Sequence, residues 1–335
     1  MAMLLPRFKR HVADENLLSK GDHLVVAVSG GIDSMVLLDL LNRVAEPLDL
    51  ELTVAHVNYG LRGVDSDNDE KLVRTTCKKL GIDYEVLRKK PSSKKNLQED
   101  ARNIRNLFFR QVADEYESQI IVTAHHMDDQ VETILLHLIR GAGLKGLSGI
   151  SPLQIIGGLK IVRPLLSFSK KELMDYSSKR RVKYREDGTN VETKYTRNAI
   201  RHRLIPIMEE FNPRIAQNLS ALSQRLSDDN DLLDLLAHEA LEDLLLLSGQ
   251  DEVRVSRNEF IQLPISLRTR VLRAAFERLR GNAKDLNADQ LIRMDHIAQS
   301  SKKTGSYRLP AKMSFERKGD SLAMRRLRTS CDRKG

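Results

Sequence analysis

Cysteine is almost absent from this chain of 335 residues: Cys77 and Cys331 are its only two. No Cys-x-x-Cys element occurs, so the chain does not read as a disulfide scaffold or a thiolate cluster. Two distant thiols of this kind fit a reducing cytoplasm and read as inert groups. Long apolar runs are missing as well. The leucine run at 244–247 is far shorter than the roughly 20 residues of a membrane span. The N-terminus, with Arg7, Lys9 and Arg10 followed at once by polar residues, lacks the apolar core of a signal peptide. No membrane partner is expected. Two common nucleotide signatures do not describe its glycine-rich turn at Ser29–Ser34, which is neither Gly-x-x-x-x-Gly-Lys-Ser/Thr nor Gly-x-Gly-x-x-Gly. The chain shows no internal repeat and no low-complexity tract.

What is present suits a soluble globular protein, with 41% hydrophobic and 30% charged residues. The length exceeds one typical core, so two domains are expected, divided at Asn212-Pro213 into 1–212 and 213–335. The net charge of +9 is unevenly spread. Residues 170–203 hold eleven Lys/Arg against five Asp/Glu, whereas 228–252 hold nine acids and no Lys or Arg. The tail from Arg325 to Lys334 is basic again. A basic surface on a nucleotide-binding chain points to a polyanionic substrate such as nucleic acid, although a solvated charged surface explains the composition equally well.

The first half alternates strand-like and helix-like segments. Strands are read at His23–Val28, Leu50–His56, Tyr84–Leu87 and Gln119–Ala124, and helices at Met35–Arg43, Asp65–Leu80, Leu97–Ala113 and Asp128–Ile139. This alternation predicts an α/β fold with a doubly wound parallel sheet, whose ligands lie beyond the strand C-termini. From Leu219 onward, leucines at helical spacing predict a smaller, mainly helical second domain, with short strands around Tyr307–Arg326. Its leucine-rich acidic helices read either as a core or as the face of a homodimer.

The most informative stretch is Val25-Val26-Ala27-Val28-Ser29-Gly30-Gly31-Ile32-Asp33-Ser34, an apolar strand running into a helix. Two glycines let the backbone turn sharply and approach a ligand, and the helix start offers unpaired N–H groups to a phosphate. Ser29 and Ser34 add hydroxyls. Asp33 cannot face phosphate oxygens without a bridging cation, so the stretch reads as a pyrophosphate site working with a divalent metal. Further on, Ala124-His125-His126-Met127-Asp128-Asp129 leads into a helix on which Asp129 and Glu132 share a face. Their carboxylates read as Mg²⁺ ligands or as helix-capping acids; zinc is disfavoured, since no further His or Cys stands at ligand spacing. Arg102 and Arg105 can clamp phosphates or pair with Glu99 and Asp100 on the surface. Arg197 and Arg201 form a basic edge beside Asn198, with Tyr195 available to stack on a base.

Together these strings resemble the tRNA(Ile)-lysidine synthetase family of PP-loop ATP pyrophosphatases. The resemblance rests on Ser-Gly-Gly-Ile-Asp-Ser, on His56-Val57-Asn58-Tyr59-Gly60-Leu61-Arg62, and on Ala101-Arg102 with Arg105. It continues through Ala124-His125-His126 with Asp129, Glu132 and Thr133, Arg140 to Leu147, Arg163-Pro164-Leu165-Leu166, and Asp187 to Arg201. Asn58-Tyr59 and Asn106 depart mildly from the family pattern. The resemblance implies that ATP adenylates the wobble cytidine of a CAU anticodon in isoleucine tRNA, after which L-lysine displaces AMP. It implies ATP binding by Ser29, Gly30, Gly31, Ile32, Asp33 and Ser34. Catalytic roles would fall to Asp33, Asp129 and Arg105, with Asp33 and Asp129 holding Mg²⁺ or steering lysine. His56, Arg62, Arg102, His125, Glu132, Arg197, Asn198 and Arg201 are further candidates. The second domain would hold the tRNA body, through phosphate contacts from Arg268, Arg270, Arg273, Arg278 and Arg280. A thiolase with the same loop would need catalytic cysteines, and a small-molecule PP-loop enzyme would not need the basic surface.

Overall fold

The computed structural model describes residues 4–92, 96–185 and 195–327 and divides into two compact units, 1–227 and 228–335. The first unit opens with α1 (Leu4–Asp14), β1 (His23–Ala27), α2 (Ile32–Leu48), β2 (Glu51–Asn58), α3 (Val64–Leu80) and β3 (Asp83–Arg88). It continues through α4 (Leu97–Glu115), β4 (Ile120–Val122), α5 (Met127–Ile139), α6 (Leu144–Leu147), β5 (Leu153–Ile156), β6 (Leu159–Val162) and α7 (Lys170–Arg180). After α8 (Tyr195–Ala199), a π turn (Ile200–Leu204) and α9 (Ile205–Phe211), the 30-residue α10 (Ile215–Leu244) begins. The compact units meet within α10, between Ser227 and Asp228, while Asn212-Pro213 marks the break between α9 and α10.

The sheet order is β3-β2-β1-β4-β6-β5, parallel except for the β5–β6 hairpin. Strand β1 is buried on both faces, which is why its sequence is continuously apolar rather than alternating. Leu24 and Val26 join the core formed with α1, α2 and α7. Val25 joins Phe108, Phe109 and Val112 of α4 on the other face. Burial of each such side chain contributes about 1.5–3 kcal/mol before the entropy of ordering is subtracted. From β1 the chain builds outward through β2 and β3, then returns to β1's other side as β4. The strand order therefore reverses between β1 and β4, and the crevice beyond their C-terminal ends is where such a fold binds ligands.

The second unit contains a five-stranded antiparallel sheet, ordered β7-β8-β11-β10-β9: β7 (Leu245–Ser248), β8 (Glu252–Ser256), β9 (Thr304–Leu309), β10 (Met313–Lys318) and β11 (Ser321–Arg326). Helices α11 (Arg257–Phe260), α12 (Ile265–Arg280) and α13 (Ala288–Gln299) accompany it, around a core that includes Phe260, Phe276, Met294 and Phe315. The sheet is larger than the short strands read at 307–326. Val253 and Val255 point into the core while Arg254 does not, a period-2 signal hidden behind the preceding leucine run.

Four of the five α12 arginines expected to meet phosphates are already paired with carboxylates. Arg268 bonds Asp295 (2.7 Å), and Arg270, Arg278 and Arg280 pair with Asp234, Glu242 and Asp285. Asp234 and Glu242 belong to the acidic stretch 228–252, so part of that acidic run is paired with α12 within the second unit. A guanidinium already sharing a carboxylate gains little from a phosphate. No helix among the described residues is long and apolar enough to cross a membrane. Cys77 is buried, and its thiol is pushed up to about 12 by that burial, as an inert thiol should be; Cys331 lies outside the described residues.

Glu70 is the most heavily bonded carboxylate of the sheet edge. Arg88 donates two hydrogen bonds to it (2.7 and 2.8 Å), and Asn58 and Arg74 one each (3.0 and 2.7 Å). The Arg88 bonds lead in holding its pKa down at about 2, against the opposing effect of burial. A depressed carboxylate stabilises the fold above its unfolded pKa and loses that contribution as pH falls through the folded value. Unfolding free energy should therefore drop by about 1–2 kcal/mol between roughly pH 4.5 and pH 2, after allowing for the solvent around Arg74 and Arg88. Urea melts of Glu70→Gln should be flatter across that window; parallel curves for variant and wild type would refute the assignment.

Candidate functional site

The loop between β1 and α2 is shaped by Gly30, whose φ of +92° belongs to the region glycine occupies without strain. A Cβ there would also come within 3.3 Å of Asp69 on α3, so both the turn and the close approach require glycine. Gly31 caps α2 in an extended conformation. The buried Ser34 hydroxyl donates to the Gly31 carbonyl (2.9 Å) and accepts the Ser29 N–H (3.1 Å). Ser34 thus braces the loop from within, while Ser29 is exposed. The amides of the first turn of α2, including those of Ile32 and Asp33, remain available to an anion. Beneath the loop, buried His56 holds the Val28 carbonyl through Nδ1 (2.8 Å), and burial lowers its pKa. His56 is a support of the strand end and does not line the cavity.

That cavity has a volume of about 470 Å³ and is lined by Ser29, Gly31, Ile32 and Asp33 together with Arg62, Asp69, Lys170 and Arg185. Its charges come in pairs. Lys170, the first residue of α7, places Nζ 2.6 and 2.7 Å from the two oxygens of Asp33. Arg62 and Arg185 both bond the buried Asp69 (2.5 and 2.9 Å), and the Arg185 N–H bonds the Gly30 carbonyl (3.0 Å). Lys170, Asp69 and Arg185 were not singled out from the sequence.

The loop after β4 comes to the same end of the sheet. Asp129 accepts the His126 N–H (3.0 Å), closing the first turn of α5. The His126 ring is the hub: Nε2 lies 3.7 Å from Asp33 and 3.6 Å from Asp129, and Nδ1 lies 3.5 Å from Asp128. Burial opposes a charge on His126, but these three carboxylates outweigh it and raise its pKa. Burial pushes the neighbouring His125 down to about 4, helped by Arg163 and Arg105 against the pull of Asp129. The pKa values of the two adjacent histidines are thus shifted in opposite directions. Asp33 and Asp129 converge as the sequence pattern implied, through an imidazole between them. Among the described residues, no group of three or more His, Cys, Asp or Glu forms a metal cage.

Other candidates are placed less centrally. Arg102 and Arg105 are exposed on α4 and form no ion pair with a described residue; Asp100 instead accepts the Ser92 N–H (2.5 Å). Glu132 is buried and bonded by Arg201, with Arg197 at 3.8 Å, so it anchors that basic edge. Arg197 also bonds the Thr133 hydroxyl (3.3 Å). Arg201 sits in the π turn, which forms where Pro206 has no N–H to continue the α-helical ladder. Asn198 lies on α8. The string 186–194 and the Tyr195 side chain lie outside the described residues.

The PP-loop domain family matches residues 4–208, which holds every element of this site. A tRNA(Ile)-lysidine synthase of Geobacter sulfurreducens is 33% identical over 328 residues, covering 96% of this chain and 69% of that protein. The chain belongs to the tRNA(Ile)-lysidine synthase family. A second relative of that name, from Chlorobaculum tepidum, is 41% identical over 242 residues, covering 70% of this chain and 72% of its own. Among solved structures, the U34-tRNA thiolase NcsA of Methanococcus maripaludis with its 4Fe-4S cluster superposes with a TM-score of 0.57 at 19% identity, over 66% of this chain and 78% of that one. That likeness supports the parallel-sheet fold alone.

The Glu132–Arg201 pair yields a stability test. Arg201→Ala leaves a carboxylate buried with only the more distant Arg197, and should cost about 2 kcal/mol in chemical unfolding. Adding Glu132→Gln should recover part of that loss. If Arg201→Ala melts like wild type, the pair is not an anchor.

Proposed function

We propose that this chain forms lysidine on tRNA(Ile) at the expense of ATP, modifying the wobble cytidine of a CAU anticodon with L-lysine and releasing AMP and pyrophosphate. The observation that carries this reading is the 33% identity to a tRNA(Ile)-lysidine synthase across 96% of the chain. The site has the parts the reaction needs. Adenylation of the base requires a place for the leaving pyrophosphate, and the start of α2 with the Gly30-Gly31 turn supplies oriented N–H groups for it. The cytidine 2-carbonyl oxygen attacks the α-phosphate, and pyrophosphate departs along the cavity side lined by Lys170, Arg62 and Arg185. The lysine ε-amine, neutral when it reacts, then attacks C2 and expels AMP.

Asp33 and Asp129 suit a Mg²⁺ ion, because hard carboxylate oxygens beside a phosphate site are what an ion that keeps most of its waters requires. Bound there, Mg²⁺ would offset phosphate charge. The protein's own contributions are separate: Asp129 and His126 fix the start of α5, and Arg105 carries its charge on the exposed rim near His125. Burial holds His125 down to about 4, so its ring stays neutral at pH 7. The cytoplasm is the compartment where this substrate and two reduced thiols belong.

A thiolase reading fails on chemistry. An iron–sulfur cluster takes several thiolates, and this sequence has two cysteines, one of them buried with a raised pKa. A homodimer remains a proposal resting on the leucine-rich helices alone.

Purified protein supplied with ATP, Mg²⁺ and labelled lysine should incorporate label into isoleucine tRNA bearing CAU and not into methionine tRNA. Asp33→Ala should lower the rate by about 10²-fold or more with an unchanged circular dichroism spectrum. ATP-dependent pyrophosphate release on a different substrate, without lysine incorporation, would overturn the function while keeping the fold.

A further inference from the structure

Lys170 is absent from every motif that marks this family in the sequence, yet its ammonium sits on the one loop carboxylate that faces the cavity. Its Nζ contacts both Asp33 oxygens, at 2.6 and 2.7 Å. Among the described residues the ammonium has no other partner. The other two cations of the cavity differ from it: Arg62 and Arg185 are both tied to the buried Asp69. Lys170 is therefore the cation of the set paired with the loop carboxylate itself, a compact charge on a flexible four-carbon stem.

Its base is fixed. The Lys170 N–H donates to Asp128 (2.8 Å), and Ser169 caps α7 in a reciprocal box with Glu172 (2.9 and 3.3 Å). Arg7 in turn bonds Glu172. The His126-centred cluster that presents Asp129 thus also places Lys170, through Asp128. A side chain anchored at its backbone, with its head held by a single carboxylate, can change partner without moving the helix.

The charge balance gives that change a direction. A carboxylate in an anion site repels phosphate unless a cation neutralises it. When a divalent ion and a phosphate chain arrive, the ion's natural protein ligand is Asp33, and the displaced ammonium lies in the same cavity as the incoming oxygens. We propose that Lys170 is the exchangeable counter-ion of Asp33: it neutralises the carboxylate before nucleotide binds, then transfers to the pyrophosphate part of the nucleotide. This rests on the ATP-dependent reading above and adds a residue to it.

The test is equilibrium binding of α,β-methylene ATP, titrated with Mg²⁺, to wild type, Lys170→Met and Lys170→Arg, with no tRNA present. Lys170→Met should bind the nucleotide about tenfold or more weakly, since it loses a charge-assisted contact. Its Mg²⁺ midpoint should nonetheless move to lower concentration, because nothing competes for Asp33. Lys170→Arg should recover most of the nucleotide affinity. Affinity within twofold of wild type with an unmoved Mg²⁺ midpoint would overturn the proposal. So would a loss of both affinities together with a lowered melting temperature, which marks a structural role. A wild-type protein that binds no nucleotide would instead overturn the reading beneath it, and this proposal with it.

Discussion

Carboxylates placed around an anion-binding loop must be neutralised by the protein itself, and the arrangement of the first unit follows from that constraint. Asp33, Asp69, Asp128 and Asp129 crowd the crevice beyond β1 and β4, where the helix start favours negative ligands. Each is matched: Asp33 by Lys170, Asp69 by Arg62 and Arg185, and the α5 acids by His126. The partners come from segments far apart in the chain, with Lys170 137 residues from Asp33 and Arg185 116 from Asp69. Charge pairing thereby staples α3, α7 and the chain at Arg185 to the loop, and the same contacts give the cavity its cationic lining.

The pairing also separates two neighbouring imidazoles. Burial opposes a charge on His126 but the carboxylates around it raise its pKa, whereas burial pushes His125 down to about 4. One strand end thus carries two adjacent rings whose surroundings shift them in opposite directions.

Local signals were legible in the sequence, and long-range pairings were not. The apolar run of β1, the Gly30-Gly31 turn and the start of α5 each lie within one short window and appear within a residue of where the sequence indicates. Helix α2 begins at Ile32, three residues before the Met35 read from its apolar run. The convergence of Asp33 with Asp129 was readable because parallel strands bring successive loops to one edge. Lys170 and Arg185 were hidden because a lone basic residue in a charge-rich stretch carries no local signature of its partner. The same blindness affected Glu132, whose partner Arg201 lies 69 residues away in the chain. It affected α12 too, where Asp234, Glu242, Asp285 and Asp295 pair with four of the five arginines that look like a phosphate-binding face. In the second unit, the leucine run masked the alternation of β8.

The central claim is that the β1–α2 loop holds the phosphates so that the cytidine 2-carbonyl oxygen attacks the α-phosphate. Heavy-oxygen labelling of that carbonyl reports it directly, by mass spectrometry of the nucleotide released after one turnover with ATP and lysine. The account predicts AMP carrying the heavy oxygen and unlabelled pyrophosphate. Unlabelled AMP, or ADP with labelled inorganic phosphate, would contradict it.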